Sequence, residues 1–520
     1  MKISVFFLLV CLFLFLSQCQ QNESKKDPQA DMAEAQALMA ELSGEELAKI
    51  HCGSCHKFPE PAVLDKPTWS TYILPRMGYM LGIYPDAQTR ASLFEDGPGG
   101  TIVAKEKIYP AEPIIIPEIW EKIQSYYLEN APEALELPQR QTIAEELPHF
   151  KVTKPPFSLS PPSVTMANFM EDGTLFIGDA NTKALYKLDE QFKLDNAANV
   201  REGAVWIQEG DDNYFVTVMG SFSPTDAPSG LLLDLPKNGD RNTKVLLQNL
   251  QRPVHTEVDD LNGDGRQDIV TCEFAKWTGQ LSWWEQTPEG AYKKNILKDQ
   301  PGAIKSYILD FNKDGNKDIV ALFGQGNEGI WVFYNDGKGQ FTEKQLIQFE
   351  SSYGSSYFNF FDYNGDGLPD IIYTAGDNAD YQPVLKPYHG IRIFENKGNE
   401  QFEEVFFYYL NGAYNAIPAD FDLDGDLDIA AISFFPDFVN HPEEAFVYLQ
   451  NDGQGNYEAS SFEEVSDGRW IVMDANDYDK DGDLDLVLGS LAFEVIPPMG
   501  LVDKWIDNGL PFIILENTTK

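Results

Sequence analysis

Asp260-Leu261-Asn262-Gly263-Asp264-Gly265-Arg266-Gln267-Asp268 places oxygen-bearing side chains at loop positions 1, 3, 5 and 9 and a glycine at position 6. The pattern returns four times. It recurs as Asp310, Asn312, Asp314, Gly315 and Asp318; as Asp362, Asn364, Asp366, Gly367 and Asp370; as Asp420, Asp422, Asp424, Gly425 and Asp428; and as Asp477, Asp479, Asp481, Gly482 and Asp485. A hard cation such as Ca²⁺ takes six to eight oxygens, and glycine lets a chain turn sharply enough for several of them to converge. The pattern therefore predicts about five bound Ca²⁺ ions, with metal-free acidic surface turns as the alternative. Recurrence in register favours the metal.

An EF-hand opens in the same way but closes with a glutamate at position 12, where this chain has Thr271, Ala321, Tyr373, Ala431 and Leu488. Each position-9 aspartate instead leads into a short apolar run, such as Ile269-Val270 or Ile319-Val320, which reads as a strand. The loops begin 50, 52, 58 and 57 residues apart, room for four strands per repeat. A second signal follows three of them: Val332 to Phe341, Ile393 to Gly398 and Val447 to Gly453 read as a strand running into an Asn- and Gly-containing turn. Strands with their own turns are also readable before the first loop, near 161–199 and 200–250. A period of about 53 residues across 151–520 gives seven units, the signature of a β-propeller. The chain stops one strand short in its last unit. Phe150 to Phe157 (FKVTKPPF) resembles the segments after the turns of other units, so it is expected to pair there and close the ring.

Loop and turn signals together resemble the FG-GAP/VCBS repeat family, whose fold is the propeller of integrin α-chains. That resemblance implies a seven-bladed propeller over 149–520, with Ca²⁺ in the loop joining the first two strands of a blade. The loops joining strands two and three then emerge on the opposite face. They are enlarged in the last three blades and rich in aromatics and proline, and with Arg252, His255, Lys305, Tyr357, Asn415, Arg469 and Trp470 they suggest a site for an extracellular ligand there.

Upstream, helical composition over Glu34 to Ile50 runs into His51-Cys52-Gly53-Ser54-Cys55-His56. Cys-x-x-Cys-His is the attachment signature of covalent haem c, with Cys52 and Cys55 as thioether anchors and His56 on the iron; zinc or a redox dithiol is the weaker account. Pro117 to Asn130 carries Ile119, Ile123, Tyr126 and Tyr127 at helical spacing. Residues 40–132 thus resemble the cytochrome c family, in which a C-terminal helix crosses the helix before the haem motif. Met77 is the expected sixth iron ligand, with Met80, His51 and His149 as alternatives. Residues 133–148, acidic and spaced by prolines, read as a linker.

Residues 1–19 carry Lys2, an apolar run and Leu16-Ser17-Gln18-Cys19. This is an export signal whose end resembles a bacterial lipobox acylated at Cys19, with simple secretion as the alternative; residues 20–39 then form a tether. The expected location is the periplasm or surface of a Gram-negative bacterium, with the membrane reached through the lipid alone. The chain has 82 acidic and 39 basic residues, a net charge of −43 that five divalent ions would cut only to −33, which argues against nucleic acid as a partner. Phosphate-binding loops and hydrolase motifs are not found in the sequence. The chain reads as an electron-transfer protein serving a redox partner protein, its propeller binding a partner or ligand. A dehydrogenase with substrate in the propeller channel and haem as electron acceptor, and a surface adhesion or scaffold module, are the alternatives.

Overall fold

The computed structural model describes all residues except 1–38, 40, 239–242, 380–382, 493–499 and 520, so Cys19, the export signal and most of the tether lie outside the described residues. Among the described residues no helix is long and apolar enough to cross a membrane.

Residues 164–517 form seven antiparallel sheets, each of consecutive strands: 164–199, 204–250, 253–298, 303–348, 355–409, 413–460 and 470–517. These are the seven blades of a β-propeller. Chemistry sorts the strands within a blade. The second strand, as in Asp268–Glu273, Asp318–Phe323 and Asp370–Ala375, is buried at every residue and packs against both neighbouring blades. The fourth, as in Phe341–Gln348, mixes exposed and half-buried residues at the rim.

The last blade supplies only three strands of its own, Trp470–Asn476, Asp485–Ser490 and Phe512–Asn517. Phe150–Thr153 completes it antiparallel, from Phe150 opposite Asn517 to Thr153 opposite Ile514. The ring therefore closes as the sequence predicts, through four residues of the segment 150–157. Blade six gains a fifth strand that the sequence reading lacks: Ile143–Ala144 pairs parallel with Ala459 and Ser460. The stretch read as a linker is thus held against the propeller, with Arg140 Nε donating to the buried Glu444 at 2.8 Å.

Residues 44–130 form a separate helical unit with its own core of Leu47, Ala48, Leu64, Trp69, Leu74, Ile119, Trp120, Ile123 and Tyr127. Helix Gly44–His51 opens with a capping box between Ser43 and Glu46 and packs across helix Pro117–Asn130. Gly44 makes that approach possible, since a Cβ there would lie 2.4 Å from the Lys122 carbonyl oxygen. The unit sits on the propeller face opposite the acidic loops. Tyr388 Oη donates to the Val63 carbonyl at 2.9 Å, Lys57 pairs with Glu350 at 2.6 Å, and Glu95 accepts from Thr225 Oγ1 at 2.8 Å and from Asp226 N at 3.1 Å.

Candidate functional site

Each acidic loop joins the first and second strands of its blade. At position 6, Gly265, Gly315, Gly367, Gly425 and Gly482 have φ from 80° to 104°, and open space surrounds the first four. The left-handed backbone, not crowding, is what calls for glycine there. Its amide turns inward onto the first aspartate: Gly265 N donates to Asp260 Oδ2 at 2.8 Å, Gly315 N to Asp310 at 3.0 Å, Gly367 N to Asp362 at 2.9 Å and Gly425 N to Asp420 at 3.2 Å. Asn262, Asn312 and Asn364 at position 3 accept from the position-5 amides of Asp264, Asp314 and Asp366. Arg266 folds back to pair with Asp264.

The position-9 aspartates do more than the sequence shows. All five are buried, and in each blade Oδ1 accepts a backbone amide from the end of the third strand: Gln286 to Asp268 at 2.9 Å, Asn335 to Asp318 at 2.9 Å, Asn396 to Asp370 at 2.6 Å, Asn451 to Asp428 at 2.8 Å and Asn517 to Asp485 at 2.8 Å. The four asparagines return the contact through Nδ2, donating to the carbonyl just before the aspartate: Lys317, Pro369, Leu427 and Leu484. Loop signal and turn signal are two halves of one clamp. The second carboxylate oxygen is also bonded within the protein in four blades, to the amides of Leu261, Phe311 and Tyr363 and to the Tyr448 hydroxyl.

Asp485 differs, because its Oδ2 is buried with no hydrogen-bond partner. In this blade Asp477, Asp479 and Asp485 bring carboxylate oxygens within 4.8 Å of one another, while Asp481 stands outside the group; in blade six Asp420, Asp422 and Asp424 do the same. Asp420 Oδ1 and Asp477 Oδ1 are likewise buried and unpartnered. Burial pushes Asp428 up to about 6, and burial reinforced by Asp479 and Asp483 pushes Asp485 up to about 8. Crowded, partnerless carboxylate oxygens on a left-handed glycine turn are a donor set that fits a hard cation.

Residues 260–321 and 310–373 match the FG-GAP-like repeat. The two matched repeats cover the loops of blades three to five, and the loops at Asp420 and Asp477 continue the same pattern. No curated protein matches the chain. Among solved structures, a streptogramin B lyase is similar with TM-score 0.46 and 14% identity, covering 71% of this chain and 98% of that one. Sqt1 of Saccharomyces cerevisiae is similar with TM-score 0.44 and 8% identity, covering 70% and 98%. A luciferin-regenerating enzyme is similar with TM-score 0.35 and 12% identity, covering 55% and 88%.

In the helical unit, Cys52, Gly53 and Ser54 form a single 3₁₀ turn that continues helix Gly44–His51. Cys52 is half-buried and Cys55 exposed, both with free thiols. The His56 ring has Nδ1 2.8 Å from the Lys57 carbonyl oxygen, so Nδ1 carries the proton and Nε2 keeps its lone pair. Met77 packs against the same core as Cys52 and Phe58; Met80 does not join it. His51 Nε2 is buried and unpartnered, whereas the His149 carbonyl bonds Thr518 at the closing strand of the propeller.

On the face opposite the loops, several of the residues that the sequence suggested for a ligand site are taken up in packing. Arg469 is 1% exposed, its guanidinium 3.8 Å from the Phe434 ring centre and its Nε bonded to the Phe434 carbonyl. Arg252 is spent on the carbonyls of Ser221, Phe222 and Ala275. Phe434, Phe435, Ile471 and Leu491 pack with Phe222 and Tyr414 into an apolar plug, and His389, Trp470 and Trp505 are buried. Cys272 is wholly buried, its thiol pushed up to about 12, which suits an inert core residue.

Proposed function

We propose that the chain is an exported electron-transfer protein in which a cytochrome c-like helical unit, residues 40–132, rides on a calcium-stabilised propeller. The observation that carries this is the conjunction at Cys52-Gly53-Ser54-Cys55-His56. The two free cysteines lie one turn apart at the end of a helix clamped by Gly44 against helix Pro117–Asn130, and the His56 tautomer leaves Nε2 free to ligate iron. Cys52 and Cys55 would anchor the porphyrin, His56 and Met77 would hold the metal, and the group they hold would supply one-electron redox chemistry. The chain's own contribution is position. Lys57, next to His56, is tied to Glu350, and Val63 to Tyr388, so the haem-bearing segment is pinned to the loops around blades four and five.

The five loops would hold Ca²⁺, with Asp420, Asp422 and Asp424 in blade six and Asp477, Asp479 and Asp485 in blade seven as the most complete carboxylate sets. Bound ions would relieve the repulsion among clustered carboxylates in a chain of net charge −43. Anchoring through Cys19 and residence in the periplasm or at the surface belong to the same proposal, as does a redox partner protein.

The test is expression in a host that attaches haem to exported proteins, followed by denaturing electrophoresis with haem staining and a pyridine haemochrome spectrum. Haem that stays with the denatured chain and is lost in the Cys52→Ala, Cys55→Ala double variant is the expected result. A wild-type chain without covalent haem, or a double variant that keeps it, overturns the proposal.

A further inference from the structure

The propeller axis carries a polar cluster that neither the haem nor the calcium proposal uses. The first strands of neighbouring blades pack on one another around the axis. Side chains alternate along a strand, so the third and fifth residues share a side. These are His255 and Glu257 on Pro253–Asp259, Lys305 and Tyr307 on Ala303–Leu309, and Tyr357 and Asn359 on Ser355–Phe361; Trp206 is the third residue of Ala204–Glu209.

Lys305 is the centre of the cluster. It is 7% exposed, donates to Tyr357 Oη at 2.6 Å, and lies 4.1, 4.9 and 5.7 Å from the ring centres of Tyr357, Tyr307 and Trp206. Among the described residues it makes no ion pair, although Glu257 and Asp474 both feel its charge. Asp474 is engaged elsewhere, accepting from Phe169 N at 2.9 Å. An ammonium taken out of water without a touching counter-ion favours an anion beside it.

Two further donors are unused. His255 Nδ1 accepts from Ser306 N at 3.4 Å, so the proton of the neutral ring sits on Nε2, which is buried and unpartnered. The nearest carboxylate oxygen, Glu257 Oε1, is 3.6 Å away, beyond a hydrogen bond. The Trp206 ring lies 4.4 Å from that of His255, and its Nε1 is also buried without a partner. The remaining N–H groups of Lys305, with His255 Nε2–H and Trp206 Nε1–H, thus bring uncommitted donors together in one locality, with the Glu257 carboxylate beside them as an acceptor. Uncommitted donors around an ammonium select an anion, and the adjoining carboxylate selects a hydroxyl.

We propose that the channel between blades two and five binds a small hydroxy acid, its carboxylate held by Lys305, Tyr357, His255 and Trp206 and its hydroxyl donating to Glu257. Entry is from the acidic-loop face, because the aromatic plug closes the other end while exposure along Ala303–Leu309 and Ala413–Ala419 rises toward the loops. The acidic loops slow an anion's approach without reaching the site, since exposed charges are screened over about 8 Å at physiological salt.

The site is independent of haem and of calcium, and its test is calorimetric. Glycolate, lactate and gluconate are titrated into the full-length protein, with ethylene glycol, 1,2-propanediol and glucose as uncharged counterparts. At least one acid is expected to bind saturably and more than tenfold tighter than its counterpart. Lys305→Met, which keeps the stem against the three rings, should abolish that binding, and Tyr357→Phe should weaken it several-fold with an unchanged melting temperature. Silence from all three acids, equal binding of the uncharged compounds, or undiminished binding by a folded Lys305→Met variant overturns the proposal.

Discussion

Asp485→Asn should stabilise the calcium-free protein and blunt the stabilisation that calcium gives. In the metal-free fold Asp485 is held up to about 8 by burial and by Asp479 and Asp483, against an ordinary value of 3.8. A raised folded-state value means that the native chain keeps a proton the unfolded chain has released. The resulting stability is present in full at low pH and is lost as pH rises through the folded value. One proton changes stability by at most about 1.4 kcal/mol per pH unit, so the loss between pH 6.5 and 8 is about 2 kcal/mol. At about 2.1 cal/mol/K per residue over roughly 370 propeller residues, this corresponds to a fall in Tm of about 3 °C. The carboxamide introduced by Asp485→Asn cannot ionise, yet its oxygen can still accept the Asn517 amide. In EGTA the variant should therefore lose that slope and melt above wild type at pH 8. Glu257, pushed up to about 7 by burial, titrates in the same window but is common to both proteins and cancels in their difference. Saturating Ca²⁺ should narrow that gap, because an ion at a hundred times its Kd stabilises by about 2.7 kcal/mol and the variant lacks one of the three converging carboxylates. The assay is paired thermal melts at pH 6.5 and 8, with EGTA and with Ca²⁺. If the variant follows the wild-type pH slope in EGTA, or if calcium raises the melting temperature of both proteins equally, the account of Asp485 fails.

Three further outcomes test other parts of the fold. Met77→Ala should abolish the weak sulfur-to-iron absorption band and lower the reduction potential while Met80→Ala leaves both in place; the opposite pattern moves the ligand three residues along the chain. Phe150→Ala should lower propeller stability by about 2 kcal/mol in urea, because the half-buried ring of the closing strand meets Phe421 at 5.8 Å and Tyr448 at 5.5 Å edge-on; an unchanged midpoint would show that closure does not stabilise the ring. Gly44→Val drives a side chain into the Lys122 carbonyl and the Tyr126 Cβ, so the helical unit should lose at least about 2 kcal/mol by circular dichroism, with the propeller transition untouched.

What was legible in the chain is what repeats at short range. A glycine at position 6, oxygens at 1, 3 and 5 and an apolar run after position 9 are local, and five copies of them fix the blade period and, through the missing last strand, the closing partner of Phe512–Asn517. The less legible features depend on what a residue meets across the ring. Position 9 looks like one more cation ligand in the linear pattern, but its partner is an amide 17 to 32 residues onward, and only the folded blade shows that the aspartate and the Asn-containing turn brace each other. Arg252 and Arg469 carry charge that suggests a wet surface, yet each is buried on carbonyl oxygens or aromatic faces, since a guanidinium is a planar multiple donor as much as a cation. Lys305 and Tyr357 could be placed near the axis from strand spacing alone. That their neighbours would be Trp206 and His255, with two N–H groups unspent, follows from first strands brought side by side from positions about 50 residues apart. Where a donor is left over in such a place the packing has not finished its work, and the same closure that buries the blades has assembled on the axis a set of donors that selects its own ligand.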